Sequence, residues 1–398
     1  MKIGLMGASI ESGNMGCLAL TYSLLKVLDE IEKEEQLNFD YYFFDGTPNA
    51  EIFDKVASLL KINRKKLHNA HTGFWVPERP FKFLRCIKSN ALLLKNLVQC
   101  DCVIDITGGD SFTDIYGMER FWQRTHVKNM CGTFKKPLLL APQTYGPFQI
   151  DETKKLAKKA LQVADVVMTR DELSRKVVKE LSDVDAVVTT DLAFLLPYNK
   201  EYISKETNRI KIGLNFSGLL AKEHVEQTDI NFVLKTNYDL YMDEVAKYLA
   251  AHDNQYEVYL LPHVTDDSVI HKKYKEKYPQ FKFVENFDNP IQAKNIISTM
   301  DVFAGARMHG TIAAFTSGVA CIPTAYSRKF KGLFNSVGYQ AVVDLQELDT
   351  QQAVDNTINY IRNYKILKEN VQQCNQSWHK KSDEIKKVVK TWISKQYM

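Results

Sequence analysis

The 398-residue chain has no apolar run of about 18 residues, so nothing in it reads as a membrane-spanning helix. Its start, MKIGLMGAS, lacks the long apolar region and small-residue cleavage site of a secretory signal. It also lacks a dense Lys/Arg block in its body, and a formal net charge of only +4 argues against a nucleic-acid partner. There is no internal repeat and no low-complexity stretch. The seven cysteines (17, 86, 100, 102, 131, 321 and 374) are scattered and odd in number, and the Cys100-x-Cys102 spacing suits neither a zinc finger nor a redox motif. They are expected to be reduced packing residues of a cytoplasmic protein. No pair of histidines stands four apart and the carboxylates are dispersed, so no metal and no cofactor is expected.

What the chain does have is alternation. Short apolar strands alternate with stretches of helical period, the pattern of an α/β fold with largely parallel sheets. Strands are expected at Lys2–Met6, Tyr41–Phe44, Cys102–Thr107, Pro137–Ala141, Val166–Thr169 and Ala186–Thr189, with a helix over 17–34. A second set is expected at Lys211–Asn215, Glu257–Leu261, Phe281–Val284, Val302–Ala304, Ala320–Thr324 and Ala341–Asp344. Between the sets Pro197–Arg209 is polar and reads as a linker. The expected organisation is two doubly wound Rossmann-like domains, 1–200 and 205–365, facing a cleft, followed by a helical tail over 366–398. From Lys380 onward that tail carries six lysines against Asp383 and Glu384. It reads as a solvated helix packed on one side, with peripheral contact to an anionic inner-membrane surface as the alternative.

Ligands of doubly wound sheets bind beyond the carboxyl ends of strands, so the strand exits are the places to search. The first, GASIESGNMG, offers Asn14 and backbone amides at a helix start, a setting for an anion or a polar sugar, and is not the dinucleotide fingerprint GxGxxG. The second brings Gly108, Gly109 and Asp110; Asp110 or Asp114 would bind sugar hydroxyls or else cap the next helix. The prolines on both sides in APQTYGPF would hold Gln143 in place for an acceptor. Arg170, in TRDE, would fork onto a phosphate or carboxylate, or else pair with Asp171 at the surface. Asp191, in TTDLAF, would accept from a ligand or cap a helix. In the second half, Arg307, His309 and Gly310 of GARMHGT stand where an apolar strand gives way to a helix. Together they suit a small ligand bearing phosphate and carboxylate, and Lys329 or Lys331 would add a second cation.

At these motifs the chain resembles the polysaccharide pyruvyl transferase family. The resemblance rests on SGNMGCLAL, ITGGDSF, APQTYGPF, VVMTRDELS, TTDLAF, LLPHVTDD, DVFAGARMHGTIAA and AYSRKFKGLF, in that order over about residues 3–340. It implies an architecture like the two-domain glycosyltransferase B fold. It also implies phosphoenolpyruvate as co-substrate, held on the second domain by Arg307 and His309, with Arg170 across the cleft and Lys329 after the following strand. The acceptor, held on the first domain, would be a sugar of a surface polysaccharide or its polyprenyl-diphosphate-linked precursor. The product would be a cyclic pyruvate ketal, with His309 as general acid. Cys17 stands where many relatives carry Asp, so no acceptor contact is assigned there. Two other readings stay open at this point: a nucleotide-sugar glycosyltransferase of the same shape, and an inactive sugar-binding protein.

Overall fold

The computed structural model describes residues 1–46, 49–70, 83–201, 207–221 and 233–397, with 83–89 described by backbone alone. Residues 202–206 of the expected linker lie outside the described residues. By their contacts Met1–Ser12, Leu20–Leu195 and Lys380–Met398 form one compact unit, and Gly13–Ala19 with Leu196–His379 a second.

The first unit is built on a seven-stranded sheet in the order β3-β2-β1-β4-β5-β6-β7. Its strands are β1 (Lys2–Met6), β2 (Asp40–Phe43), β3 (Leu67–Asn69), β4 (Cys102–Asp105), β5 (Leu138–Gln143), β6 (Val166–Thr169) and β7 (Val187–Val188), and every pairing is parallel. The central strands are buried along their length, as expected where helices cover both faces of a parallel sheet. The second unit carries a six-stranded parallel sheet in the order β10-β9-β8-β11-β12-β13. These strands are β8 (Ile210–Asn215), β9 (Tyr256–Leu260), β10 (Lys282–Phe283), β11 (Val302–Gly305), β12 (Ala320–Ala325) and β13 (Val343–Asp344). All twelve expected strands form, with ends shifted by a residue or two. Only β3 was not foreseen: three residues, LHN, are too few to show a period.

Each sheet has one place where the chain, having wound outward on one side, returns to wind on the other. These switch points lie between β1 and β4 in the first unit and between β8 and β11 in the second. At such points the flanking connections run to opposite faces of the sheet and open a crevice at the strand ends.

The tail is helical and packed on one side. It forms two helices, Tyr364–Gln373 and Asn375–Gln396, and its residues from Lys380 belong to the first unit. Ile385, Val389, Trp392 and Ile393 are buried in the fold, and Val388 is half-buried. Trp392 Nε1 donates to Asp165 at 3.0 Å, and Lys386 reaches Glu30 at 3.1 Å and Glu34 at 2.6 Å. The apolar stripe of this amphipathic helix is already covered by protein. Among the described residues, no helix is long and apolar enough to cross a membrane.

Candidate functional site

Strand β8 ends its apolar run with Asn215, which lies in register with Gly305 at the end of β11. The Asn215 side chain joins three strand exits. Its Nδ2 donates to the Leu261 carbonyl at 3.0 Å and to Asp267 at 3.2 Å, while its Oδ1 accepts the Arg307 backbone N–H at 3.0 Å. A Cβ on Gly305 would come within 2.9 Å of the Asn215 Cβ, so the close approach needs glycine there.

Asp267 is the hub of this crevice. It sits fully buried in the first turn of the helix Thr265–Lys277, where a carboxylate also meets the favourable end of the helix dipole. It accepts the backbone N–H groups of Gly218 (2.9 Å), His263 (3.1 Å) and Val264 (3.1 Å). Arg307 adds Nε at 3.0 Å and Nη2 at 2.7 Å, a two-pronged ion pair. Burial works to raise the Asp267 pKa, but the Arg307 charge and these hydrogen bonds override it and hold the carboxyl below its ordinary range. Burial likewise opposes the charge of Arg307, and Asp267 outweighs it, so the guanidinium lies above its usual value. The Arg307 side chain keeps 13% of its surface exposed, against 0% for Asp267. The carboxylate thus aims the guanidinium while the ion pair uses only Nε and Nη2.

Arg307 is also the N-cap of the helix Met308–Thr316, and His309 and Gly310 lie in its first turn. The N–H groups of that turn have no intrahelical acceptor. His309 is half-exposed, and its ring lies against Gly16: a Cβ at Gly16 would overlap the His309 Nδ1. The segment Gly13–Gly16, which runs into the helix Met15–Glu34, is joined to the exit of β9. Asn14 forms an isolated antiparallel bridge with Val264, Met15 N–H donates to the His263 carbonyl at 3.1 Å, and Thr265 N–H donates to Gly13 at 3.1 Å. Asn14 Oδ1 accepts the Gly16 N–H at 2.9 Å. Asn14, expected on the acceptor side with the first domain, therefore belongs to the second unit beside His309. Two buried imidazoles complete the group. His271 sets Nε2 3.0 Å from both the N–H and the carbonyl of Phe216, and burial pushes its pKa down to about 4. His263 is buried beside Gly310, with its Cγ 3.6 Å from where a Gly310 Cβ would stand. Burial, then the nearness of His309, pushes it down to about 3.

Lys329 follows β12, its Nζ 5.8 Å from the centre of the Tyr326 ring. Lys331 does not join it. It pairs at the surface with Glu347 (2.7 Å) and Asp344 (3.4 Å).

The first unit's strand exits are arranged differently. At the β1/β4 switch Gly7 takes φ +64°, where any side chain would run into the Thr107 backbone. Gly108 and Gly109 also have positive φ, +59° and +85°. Gly109 is buried above Leu20 and Arg170, leaving Gly108 and Asp110 half-exposed. Here several residues singled out by the sequence are enclosed. Arg170 and Asp191, assigned to donor and acceptor, are both 0% exposed and bind each other at 2.7 Å, with Arg170 Nε on Thr144 Oγ1 at 2.7 Å. Asp171 is not the partner of Arg170; it caps the next helix through Ser174 N–H at 2.7 Å. Gln143, expected to face an acceptor, is enclosed, its Nε2 3.4 Å from Asp105 and 3.3 Å from the Ala141 carbonyl. Asp114 is likewise structural, accepting from Gln149 N–H (2.7 Å), Ile150 N–H (3.0 Å) and Thr153 Oγ1 (2.6 Å). Asp105 holds the fully buried Lys128 at 2.8 Å.

Arg307, His309, Gly310 and Asn14 thus belong to the second unit, and Arg170, Asp191 and Gln143 to the first. Sequence reasoning missed Asn215, His263 and Asp267. Asn215 had a signal, a polar residue closing the run KIGLN. His263 and Asp267 stand four apart in LPHVTDD, a motif whose chemistry only the folded strand exit makes visible. Among the described residues, no three His, Cys, Asp or Glu side chains gather as metal ligands would.

Comparison with known proteins agrees with this architecture. UDP-GlcNAc 2-epimerase from Neisseria meningitidis, solved with UDP-GlcNAc, superposes with a TM-score of 0.59 at 12% identity, covering 99% of this chain and 100% of that one. A putative UDP-N-acetylglucosamine 2-epimerase from Listeria monocytogenes gives 0.64 at 10% identity, covering 100% and 96%. Anabaena Alr3699/HepE in complex with UDP-glucose gives 0.58 at 11% identity, covering 98% and 100%. At these identities the likeness is one of fold, that of glycosyltransferase B-like proteins. The profile of the polysaccharide pyruvyl transferases matches residues 14–328, from the Asn14 loop through β12, which is well over half the chain. With Asn14, Arg307 and His309 all inside that match, the chain belongs to the polysaccharide pyruvyl transferase family.

Proposed function

We propose that the protein transfers a pyruvyl group from phosphoenolpyruvate to a sugar of a polysaccharide, or of its lipid-linked precursor, forming a cyclic ketal and releasing phosphate. The observation that carries this reading is the set Arg307, His309 and helix N-terminus at the β8/β11 switch, with the guanidinium pre-aimed by Asp267. A donor with phosphate and carboxylate brings several negative charges. Arg307, the first-turn amides through Gly310, and Lys329 after β12 are the groups that would neutralise them.

In the reaction a sugar hydroxyl adds to carbon 2 of the enol while carbon 3 takes a proton, giving a tetrahedral phosphoketal. The carbon 2–oxygen bond to phosphate then breaks, and a second hydroxyl of the same sugar closes the ketal. Two hydroxyl protons are released; one ends on carbon 3 and one on phosphate. His309 is the general acid of this scheme, half-exposed and held in place against Gly16. Arg170, enclosed and bound to Asp191, is given no role in it. Gly108 and Asp110 remain candidates for the acceptor.

Calorimetric titration tests the donor. Phosphoenolpyruvate should bind saturably and lose its binding in Arg307→Ala. His309→Ala should still bind it while turnover falls by about 100-fold or more. Saturable binding of a uridine-diphosphate sugar in place of phosphoenolpyruvate would overturn the reading.

A further inference from the structure

His263 and His271 are both buried and both kept neutral, yet the fold uses them differently. His271 fixes its Nε2 against the N–H and carbonyl of Phe216, a structural role that leaves only its Nδ1 buried without a partner. The His263 ring has no hydrogen bond among the described residues, and its Nδ1 is buried without a partner. Only its backbone is engaged: the N–H on Asp267 at 3.1 Å, the carbonyl on Met15 N–H at 3.1 Å. Buried polar side chains are nearly always satisfied, and one that is not needs a reason. The reason does not lie in packing alone, since a residue wanted only for bulk would carry no ring nitrogens to desolvate.

Location supplies the reason. His263 leaves β9 at the strand's carboxyl end, shares Asp267 with Arg307, and packs its ring beside Gly310 in the helix turn that carries His309. We propose that His263 is a substrate-binding residue that reads the carboxylate of the donor, donating a ring N–H to it while Arg307 and the helix amides take the phosphate. This deepens the reading above and rests on it. A neutral imidazole suits the task, because it offers one directed hydrogen bond without adding a second buried cation beside Arg307. Its neutrality follows from burial first and from His309 second. The division of labour also explains why the site needs two imidazoles close together: one that holds the donor without titrating and one that exchanges a proton.

The test compares two probes on the full chain, phosphoenolpyruvate and inorganic phosphate, which lacks the carboxylate. His263→Phe keeps the ring's bulk and removes its nitrogens. It should weaken phosphoenolpyruvate by about tenfold to a hundredfold, the range for a hydrogen bond to a charged group, and leave phosphate within about twofold. His263→Asn, whose amide nitrogen reaches close to the place of Nδ1, should recover most of the loss, and His263→Gln should not. If the Phe variant fails to fold, the Gln and Asn pair carries the comparison. Equal weakening of both probes, or no weakening of either, would overturn the assignment while wild-type binding of phosphoenolpyruvate still stood. No binding of phosphoenolpyruvate to the wild type would remove the donor reading and this inference with it.

Discussion

Replacing Asp267 by Asn probes the strand exits of the second unit more sharply than any other single change. The carboxylate accepts three backbone N–H groups, the Asn215 amide and two Arg307 nitrogens. Asparagine keeps the shape but has one acceptor oxygen, and its NH2 group must point at donors. Arg307 is then left as a largely enclosed cation without its counter-charge. Breaking a buried ion pair from one side costs about 3–5 kcal/mol, and the orphaned N–H groups fall within that figure rather than adding to it in full. For a unit of this size each kcal/mol is worth about 2–4 °C, so the second unit's transition should fall by about 6–20 °C. Two units need not melt together, so scanning calorimetry should be paired with hydrogen exchange read on β8 and β11. Arg307→Met costs stability as well, because it strands the carboxylate, but the double variant should lose about 1–3 kcal/mol less than the two singles summed. A loss under about 1 kcal/mol for Asp267→Asn, or strict additivity in the cycle, would refute the hub.

Arg170→Met should destabilise the first unit by about 3–5 kcal/mol, since the buried Asp191 carboxylate would lose its counter-charge, while phosphoenolpyruvate affinity holds. A stable Arg170→Met protein that no longer binds the donor would put Arg170 in the donor site. Acid should act mainly on the second unit. His263 and His271 have folded pKa values of about 3 and about 4, below the 6.5 of the unfolded chain, so over that window only the unfolded state takes up their protons. Their stabilising contribution is complete above about pH 6.5 and is lost as pH falls toward 4 and then 3, at about 1.4 kcal/mol per pH unit for each ring. Thermal midpoints of wild type and His271→Gln across pH 4–7.5 should converge as the pH drops; parallel curves would contradict the buried neutral state.

The sheets were legible because burial on both faces of a parallel sheet writes itself as short apolar runs. Lys2–Met6 and Val166–Thr169 could be read to the residue. What was not legible was partnership. TRDE and ARMHG look alike in sequence, each an arginine at the end of an apolar strand, yet one guanidinium is sealed against Asp191 and the other is held half open on Asp267. The partners lie 21 and 40 residues away, and no local pattern reports them. The Asn14 loop shows the same limit. It follows β1 in sequence and was assigned to the first domain, but its backbone hydrogen bonds go to His263 and Thr265.

The contrast between the two arginines also indicates where the chemistry belongs. A guanidinium with no exposed surface, an ion pair on one nitrogen and a hydroxyl on another stabilises the fold. Arg307 is arranged otherwise. Its carboxylate partner occupies Nε and Nη2 and is itself saturated by backbone donors, so Asp267 orients the cation without a free oxygen left to repel an anion. The helix turn at Met308–Gly310 points further donors from the same strand exit. An anion arriving there meets groups already in place, and the reorganisation cost that limits electrostatic stabilisation in water has been met in the folding of the second unit. On the proposed reading the donor sits at the β8/β11 switch, and Asp267, which need not touch it, should govern how well it binds.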